Sequence, residues 1–401
     1  MKEIEESLIA VQGFKTAGIM CGIKKNNKKD LAMIYSTVPS VSAGVFTTNK
    51  VFSPSVQLCR ENILSPVARA IVVNSGNANA CVGNQGYLDA KRIVQSTAEK
   101  LEIMPEEVLI ASTGVIGEPL PMSKIETGIP RLVNALNQNG SKDVAESILT
   151  TDTFTKTVAV EIDVTGGKIR LDGIAKGAGM IHPNMATMLA FITTDAAIEK
   201  KTLQKLIKKS TDKSFNMITV DGDASTNDTA IILANGLAKN EIITEKSPSF
   251  KMFSEALDFV TSKLSRMIVM DGEGATKLIE IHVKGAKVDH DAKAIAMAIG
   301  QSNLVKTAFF GEDANWGRII AAAGTAGVSF NPDKVDMFFG QENVLKNGLY
   351  CGKEREKAIE KVIKGKEIVL TLNLNSGNEQ ARVYTCDLSP EYVKINAEYR
   401  S

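Results

Sequence analysis

The sequence predicts an α/β (α+β) protein with extensive sheet, and three observations carry this prediction. The short apolar runs at residues 70–74 and 108–111 end in polar, Gly-containing turns, as buried strands do. Other stretches repeat apolar residues every three or four positions, which is the period of a helix with one buried face. Further stretches alternate apolar and polar residues like half-buried strands: 157–164, 229–234, 277–283, 368–374 and 380–386.

The helices follow from the same periodicity. One helix is predicted from about residue 87 to 101, between the first two strands. Residues 284–289 mark a boundary to a smaller C-terminal lobe, beginning at about residue 285. The remaining predicted helices carry the apolar stripes Ile125, Ile129, Leu132, Val133 and Leu136; Leu203, Leu206 and Ile207; and Phe253, Ala256, Leu257, Val260 and Leu264.

Composition excludes several classes of protein. The 401 residues are 44% hydrophobic and 23% charged, so the chain can bury a sizeable core and is not disordered. Its 47 basic and 46 acidic side chains give a charge of +1, which predicts neither a nucleic-acid nor a membrane partner. The N-terminus is acidic and no apolar run reaches the roughly 18 residues of a membrane span. We therefore expect a soluble, cytoplasmic protein.

Candidate cofactor and metal motifs fail in detail. Residues 272–277 lack phosphate-loop spacing, and no complete G-x-G-x-x-G is present. Residues 221–232 begin like a calcium loop but carry Thr226 and Ile232 where glycine and glutamate are required, which predicts a hydrogen-bonded turn. The five cysteines and three histidines are scattered, so the cysteines are expected to be reduced thiols. We predict no cofactor and no metal.

One segment carries chemistry. Residues 176–192 place glycines and Pro183 immediately before an apolar strand that starts with the hydroxyl residue Thr187. Attack of the Thr187 hydroxyl on the carbonyl of Ala186, followed by hydrolysis, would free Thr187 as a new N-terminus. Its α-amine would then serve as the general base in a chain that has few histidines. The alternative reading of the residues alone is an ordinary strand residue after a turn.

At these residues the sequence resembles the ornithine acetyltransferase (glutamate N-acetyltransferase) family of arginine biosynthesis. The run from Lys176 to Phe191 is similar to the family's self-cleavage and nucleophile signature, with Thr187 in the nucleophile position. The resemblance covers nearly the whole chain. Its other blocks occur in family order at residues 13–18, 47–51, 73–81, 112–117, 220–228, 311–318 and 396–401.

The resemblance implies a ping-pong transfer of acetyl from N2-acetylornithine to glutamate through an acetyl-Thr187 intermediate, after autocatalytic cleavage at Ala186–Thr187. Thr113 and Gly114 would form the oxyanion hole, through a hydroxyl and a backbone N–H. The alternative for both is a plain strand-to-loop turn. The implied substrate contacts are Thr153, Lys176, Thr187, Glu273, Asn396 and Ser401.

These contacts fit the chemistry of the substrate. Lys176 could pair with a carboxylate, and Glu273 with the ammonium of ornithine. Contact through Asn396 and Ser401 requires the C-terminal tail to return to the site, although chain ends are usually loose.

The resemblance also implies a layered αββα sandwich, similar to self-processing N-terminal threonine enzymes, with a smaller C-terminal α/β lobe. The division is then into an alpha chain, residues 1–186, and a beta chain, residues 187–401, in a heterotetramer or larger assembly. The sequence leaves open whether acetyl-CoA is also a donor. Two competing functions remain: an amidase or aminopeptidase with the same nucleophile, and a non-enzymatic ligand-binding or scaffold protein.

Three groups of polar residues have no catalytic role in this reading. His182, close to the cleavage point, is predicted to serve packing or turn geometry. Asn74, Asn77 and Asn79 are predicted to satisfy backbone groups at a strand end. Asp313 and Arg318 belong to a family block without an assigned chemical role, and we expect them to form a structural ion pair.

Overall fold

The structure, a computed structural model, describes residues 1–4, 11–25, 27–182 and 188–398. The chain divides into two compact units. Unit 1 consists of the described residues of Met1–Met180, Asn184–Asn216 and Asp223–Ile268. Unit 2 consists of those of Ile181–Pro183, Met217–Gly222 and Val269–Ser401.

The strands are β1 Lys2–Ile4, β2 Phe14–Ile19, β3 Leu31–Phe46, β4 Ala68–Asn77, β5 Val108–Val115, β6 Lys156–Val164, β7 Gly167–Lys176, β8 Leu189–Thr194, β9 Thr229–Ala234, β10 Leu278–Ala286, β11 Asp336–Phe339, β12 Glu342–Lys346, β13 Leu349–Tyr350, β14 Glu367–Asn373 and β15 Glu379–Cys386. The α-helices are α1 Pro54–Asn62, α2 Gly83–Leu101, α3 Met122–Asn134, α4 Ser141–Ser147, α5 Lys200–Lys213, α6 Ser249–Met270, α7 Asp289–Gln301, α8 Asn303–Phe310, α9 Trp316–Gly324, α10 Lys353–Ile363 and α11 Pro390–Ala397.

Unit 1 is built on nine strands in the order β1-β6-β7-β8-β9-β3-β4-β5, with β2 also paired to β3. The long strand β3 joins two halves of this array. Its first residues pair with β2 and β4, and its last six, Val41 to Phe46, pair with β9. The register of β3 against β4 shifts between Tyr35 and Ser40, so a bend there lets one strand serve both halves.

The two halves share one core and are covered by helices. Gly173 of β7 faces α6 so closely that a Cβ atom there would lie 2.6 Å from Val260 Cγ1. The next residue, Ile174, points to the opposite face. It joins a cluster that also contains Phe191 of β8 and Ile71 of β4. Helices α1 and α2 pack against β5. The predicted layered α/β fold is therefore confirmed.

Unit 2 contains a six-stranded sheet in the order β13-β12-β11-β14-β10-β15. Its core combines residues of β10, β14 and β15 with residues of α7, α8 and α9, including Ile281, Leu370 and Ile295. The long continuous part of unit 2 begins at Val269, and the predicted lobe boundary near residue 285 lies inside it, because β10 and the helix that follows it pack in the same core. Residues 284–289 comprise the end of β10, a two-residue bend and the first residue of α7, all inside this unit.

The predicted strands and helices are found, with ends that differ by a few residues. The predicted helix at 87–101 begins earlier, at Gly83. The strand after the nucleophile segment begins at Leu189, and Thr187 itself lies outside the described residues. All five cysteines are free thiols. Among the helices in the described ranges, none combines the length and the apolar character needed to cross a membrane.

Candidate active site

In unit 1 the predicted oxyanion residues lie where the parallel strands β4 and β5 end side by side. Thr113 and Gly114 pair with Ser75 and Gly76 across the two strands. Gly114 has φ of 134°, and a Cβ atom there would lie 2.3 Å from the carbonyl carbon of Gly76. Only glycine fits this approach, because the conformation disfavours L side chains and the neighbouring backbone occupies the space. Thr113 is 2% exposed.

Buried asparagines satisfy backbone groups beside this turn. Asn74 Nδ2 donates to the carbonyl oxygen of Asn77 at 2.9 Å. Asn77 Nδ2 donates to that of Glu118 at 3.0 Å. Asn79 Nδ2 donates to that of Gly86 at 2.9 Å. The prediction that these three asparagines serve a strand terminus is confirmed.

A second layer of polar contacts holds the residue before Thr113. The Ser112 hydroxyl donates to Asn74 Oδ1 at 2.6 Å and lies 2.8 Å from the Ser55 hydroxyl. Asn227 Nδ2 donates to the Ser112 carbonyl oxygen at 2.8 Å. Both the side chain and the backbone of Ser112 are therefore fixed, and the turn that follows is held in place.

Lys176, the last residue of β7, reaches the same turn. Its Nζ lies 3.4 Å from Thr113 Oγ1 and 4.0 Å from Asp152 Oδ2, and its side chain is 3% exposed. Because the ammonium donates to the Thr113 oxygen, the Thr113 hydroxyl hydrogen remains available for another acceptor.

Asp152 connects two buried lysines. Its Oδ1 accepts from Lys156 Nζ at 2.8 Å and from the Gly177 N–H at 2.7 Å. Burial opposes ionisation of Asp152, but the ammonium groups of Lys176 and Lys156 outweigh it and lower the pKa of this carboxyl to about 2. The carboxylate of Asp152 therefore stays ionised between the two ammonium groups and holds them at the end of β7.

A third lysine lies near these charges. Lys24 Nζ donates to the Lys29 carbonyl oxygen at 2.7 Å. Burial lowers the pKa of Lys24 to about 8, and the charge of Lys176 acts in the same direction. An ideal Cβ on Gly76 would be 3.0 Å from Lys24 Cγ, so this side chain packs beside the strand end that contacts Gly114.

Two further sequence predictions concern the site residue Thr153 of unit 1 and the cleavage pair. Thr153 is exposed and directly follows Asp152 in the chain. The predicted cleavage pair, Ala186 and Thr187, lies outside the described residues. Met188, the next residue, is described and is 1% exposed.

In unit 2 the structure brings together Glu273 and Asn396. Asn396 Nδ2 donates to Glu273 Oε2 at 2.8 Å. It also donates to the Tyr392 carbonyl oxygen at 3.0 Å, one turn earlier in α11. The described part of the C-terminal tail therefore contacts a buried carboxylate. Ser401 is outside the described residues.

The remaining sequence predictions have mixed outcomes. His182 Nδ1 lies 2.8 Å from Gln301 Nε2, in keeping with a role in turn geometry. The expected ion pair between Asp313 and Arg318 is wrong. Asp313 accepts from Asn315 Nδ2 at 2.9 Å, whereas Arg318 Nη1 donates to the carbonyl oxygen of Leu304 at 3.0 Å. Asp313 therefore contacts the loop before α9, and Arg318 contacts the backbone of α8, so the two side chains do not pair with each other.

Sequence reasoning missed Asp152 and Lys156 as parts of the site. A signal was present, since an acid and a base four residues apart enclose Thr153. The sequence does not show that Asp152 and Lys156 are buried, because acidic and basic side chains are usually exposed unless they are paired. Groups of three or more metal-ligating side chains are absent among the residues that the structure describes.

Comparison with known proteins identifies the family. A family model described as the ArgJ family matches residues 15–401. The "Arginine biosynthesis bifunctional protein ArgJ" of Caldanaerobacter subterraneus subsp. tengcongensis is 49% identical over 405 residues, covering 100% of both chains. The protein of the same name from Geobacter sulfurreducens is 49% identical, covering 98% of this chain and 100% of its own.

Solved structures of similar proteins are also known. A crystal structure of arginine biosynthesis bifunctional protein ArgJ from Bacillus halodurans is 42% identical, with a TM-score of 0.49, and covers 51% of this chain and 96% of its own. The ornithine acetyltransferase from Mycobacterium tuberculosis, complexed with ornithine, is 34% identical, with a TM-score of 0.43, and covers 45% of this chain and 97% of its own.

These relatives define the class of protein, an acetyltransferase of arginine biosynthesis. The chain belongs to the ArgJ family. The resemblance drawn from the sequence blocks is thereby confirmed.

Proposed function

We propose that this chain is a glutamate N-acetyltransferase that moves acetyl from N2-acetylornithine to glutamate by a ping-pong mechanism. Family membership supports the substrates, and one relative was solved as a complex with ornithine. The observation that carries the proposal is the contact between Lys176 Nζ and Thr113 Oγ1, beside the strained Gly114. It places a cation, a hydroxyl and a backbone N–H at one strand end, which are the groups needed to stabilise an oxyanion.

The chemistry begins with self-cleavage between Ala186 and Thr187. The freed α-amine of Thr187 accepts the proton of its own hydroxyl as the oxygen attacks the acetyl carbonyl of N2-acetylornithine. Negative charge on the tetrahedral oxygen is met by the Thr113 hydroxyl and the Gly114 N–H. The α-amine then gives its proton to the leaving nitrogen, so ornithine departs and acetyl-Thr187 remains. Glutamate attacks this ester and completes the cycle.

Substrate recognition is assigned to charged side chains at the positions that the family resemblance implies. In unit 1 the ammonium of Lys176 supports capture of the substrate carboxylate, with Thr153 as a polar neighbour. In unit 2 the carboxylate of Glu273, oriented by Asn396, is suited to the ammonium of ornithine. Ser401 completes the proposed set of contacts.

The proposal includes a second donor, acetyl-CoA, because the relatives carry the word bifunctional in their names. It also includes residues 1–186 and 187–401 as alpha and beta chains of a heterotetramer or larger assembly, working in the cytoplasm. Native mass spectrometry of the purified protein tests the assembly.

Intact mass and kinetics test the central claim. Cleavage should yield pieces of 186 and 401 − 186 = 215 residues. The purified protein should convert N2-acetylornithine and glutamate to ornithine and N-acetylglutamate, with parallel lines in double-reciprocal plots. Thr187→Ala should remain one chain without transfer activity. Release of acetate in place of N-acetylglutamate would instead identify an amidase, and absence of both products would leave a non-enzymatic protein.

A further inference from the structure

We propose that the loop from Asp221 to Asp228 is a positioning device for the cleavage segment, with Asp221 fixing the residue before it and Asp228 the residue after it. The inference rests on the proposed self-cleavage at Ala186–Thr187. The loop would then have a function in addition to forming the hydrogen-bonded turn that its sequence predicts. Each anchor is formed within its own unit.

The first anchor holds Ile181, within unit 2. The Ile181 N–H donates to Asp221 Oδ1 at 2.9 Å. The Ile181 carbonyl oxygen accepts from the Val220 N–H at 2.9 Å and from the Thr219 hydroxyl at 3.2 Å. The side chain is fully buried. Both backbone groups of Ile181 are therefore fixed, although this residue belongs to neither a strand nor a helix.

The second anchor holds Met188, within unit 1. The Met188 N–H donates to Asp228 Oδ1 at 3.1 Å, and the Met188 carbonyl oxygen accepts from the Thr229 N–H at 3.1 Å. The nitrogen bound by Asp228 is covalently joined to the carbonyl carbon of Thr187. Fixing this nitrogen restricts the rotations that orient the proposed nucleophile.

Asp228 is an unusual choice for a merely structural contact. Its side chain is fully buried, and Oδ2 has no hydrogen-bond partner. The neighbouring Thr47 hydroxyl donates instead to the carbonyl oxygen of Ser225, at 2.7 Å. Burial raises the pKa of Asp228 well above its usual range, against the lowering effects of the Met188 N–H and the charge of Lys176. Burying a carboxyl group costs stability, and the contact that Asp228 Oδ1 makes is the one to the Met188 N–H.

The same loop also touches the oxyanion strand. Asn227 donates to the Ser112 carbonyl oxygen, next to Thr113, and its N–H donates to Ser225 Oγ at 3.0 Å. Within unit 1, Asn227 and Asp228 thus contact Ser112 and Met188. Holding the Met188 nitrogen should disfavour conformations of the adjoining Thr187 in which its hydroxyl cannot reach the Ala186 carbonyl.

The test at the second anchor uses two substitutions with opposite expectations. Asp228→Ala removes the acceptor for the Met188 N–H. We expect it to slow self-cleavage about tenfold or more. Asp228→Asn retains an acceptor oxygen and has the shape of a neutral carboxyl group, so it should cleave within about threefold of the wild-type rate. Cleavage is followed by intact mass during expression and after purification of the full chain.

A folding defect alone is excluded by a matched control. Asp172 is another buried carboxyl of unit 1, paired with Arg170 at 2.7 Å. Asp172→Asn should lower the melting temperature and leave the cleavage rate per folded molecule unchanged. If Asp228→Asn is as slow as Asp228→Ala, positioning by an acceptor is overturned and the carboxyl proton itself is required. If Asp228→Ala cleaves at the wild-type rate, the second anchor has no role.

The first anchor is tested by Asp221→Ala. Tyr392→Phe is its control, because the Tyr392 hydroxyl donates to the other carboxylate oxygen of Asp221, Oδ2, at 3.3 Å. Asp221→Ala should slow cleavage about tenfold while Tyr392→Phe cleaves normally. Equal rates for the two variants would overturn the first anchor. An uncleaved wild-type protein would instead refute the proposed self-cleavage, so the two failures are distinguishable.

Discussion

Lys176 Nζ lies 3.4 Å from Thr113 Oγ1, so the cation at the end of β7 is a direct neighbour of the hydroxyl at the end of β5. The two residues are 63 positions apart in the chain. This pair joins the residue predicted to bind substrate to the residue predicted to stabilise the oxyanion. In the proposed mechanism this hydrogen bond would link substrate capture to charge stabilisation.

Removal of the Thr113 hydroxyl should damage chemistry more than binding. Thr113→Val keeps the shape of the side chain and should lower kcat for acetyl transfer about 10²- to 10³-fold, because one oxyanion donor is lost. Thr113→Ser keeps the donor and should retain most of the activity. Steady-state kinetics with N2-acetylornithine check this, and a Thr113→Val enzyme with a normal kcat would exclude the hydroxyl from the reaction.

Removal of the Lys176 charge should affect both steps. Lys176→Met preserves the length of the side chain, and kcat/KM for transfer should fall at least about 10²-fold through loss of a carboxylate partner. Lys168→Met is the control on the same strand, since Lys168 is exposed and pairs with Glu161. The two variants should differ clearly in kcat/KM and little in melting temperature. Similar activities for both would contradict the role of Lys176.

Gly114 should not tolerate alanine. Gly114→Ala adds a Cβ within 2.3 Å of the Gly76 backbone, in a conformation that already disfavours side chains. Gly117→Ala meets the same kind of conformation at φ of 89° but has no atom within 4 Å of the added Cβ. We expect transfer to be lost in Gly114→Ala, and a cost of about 1–2 kcal/mol in the free energy of unfolding of Gly117→Ala. Urea denaturation and activity assays compare them.

Asp152 should stabilise the protein in a pH-dependent manner. Its pKa is lowered to about 2 in the folded state, below that of an unfolded aspartate. The stabilisation is therefore complete above the unfolded pKa, near 4, and is lost as the pH falls towards 2. At pH 7, Asp152→Asn removes an anion that contacts two buried lysines and should lower the free energy of unfolding by about 3 kcal/mol or more.

Urea denaturation of wild type and Asp152→Asn between pH 3 and pH 8 measures this difference. The difference between the two proteins in the free energy of unfolding should be constant around neutral pH and should become smaller below about pH 4. A gap that stays the same at every pH would show that Asp152 acts through packing and not through its charge. Asp163→Asn, at an exposed position of β6, should show no such gap.

Glu273 and Asn396 should act mainly on binding. Glu273→Gln removes the charge proposed to meet the ornithine ammonium and should raise KM for N2-acetylornithine about tenfold or more. Asn396→Ala should raise KM less, because it orients Glu273 through a single 2.8 Å hydrogen bond. Glu391→Gln, in the exposed first turn of α11, is the control. An unchanged KM in Glu273→Gln would remove this carboxylate from the substrate site.

The sequence by itself determined the elements and the family. Apolar periodicity identified strands such as β9 and helix stripes such as that of α6, because burial imposes periods of two and 3.6 residues. The blocks around Lys176 and Thr113 identified the family before any geometry was known. The Asn74, Asn77 and Asn79 cluster was also read correctly, since short amides beside strand ends commonly serve backbone groups.

Only the tertiary structure decided which charges meet. It paired Asp152 with Lys156 and Lys176, and it separated Asp313 from Arg318, although Asp152–Lys156 and Asp313–Arg318 are both close in sequence. It also placed the start of the long continuous part of unit 2 at Val269, because β10 shares its core with the strands and helices that follow. The physical reason is that periodicity reports which side of an element is buried. Contacts between distant elements depend on strand order and register, which no local pattern encodes.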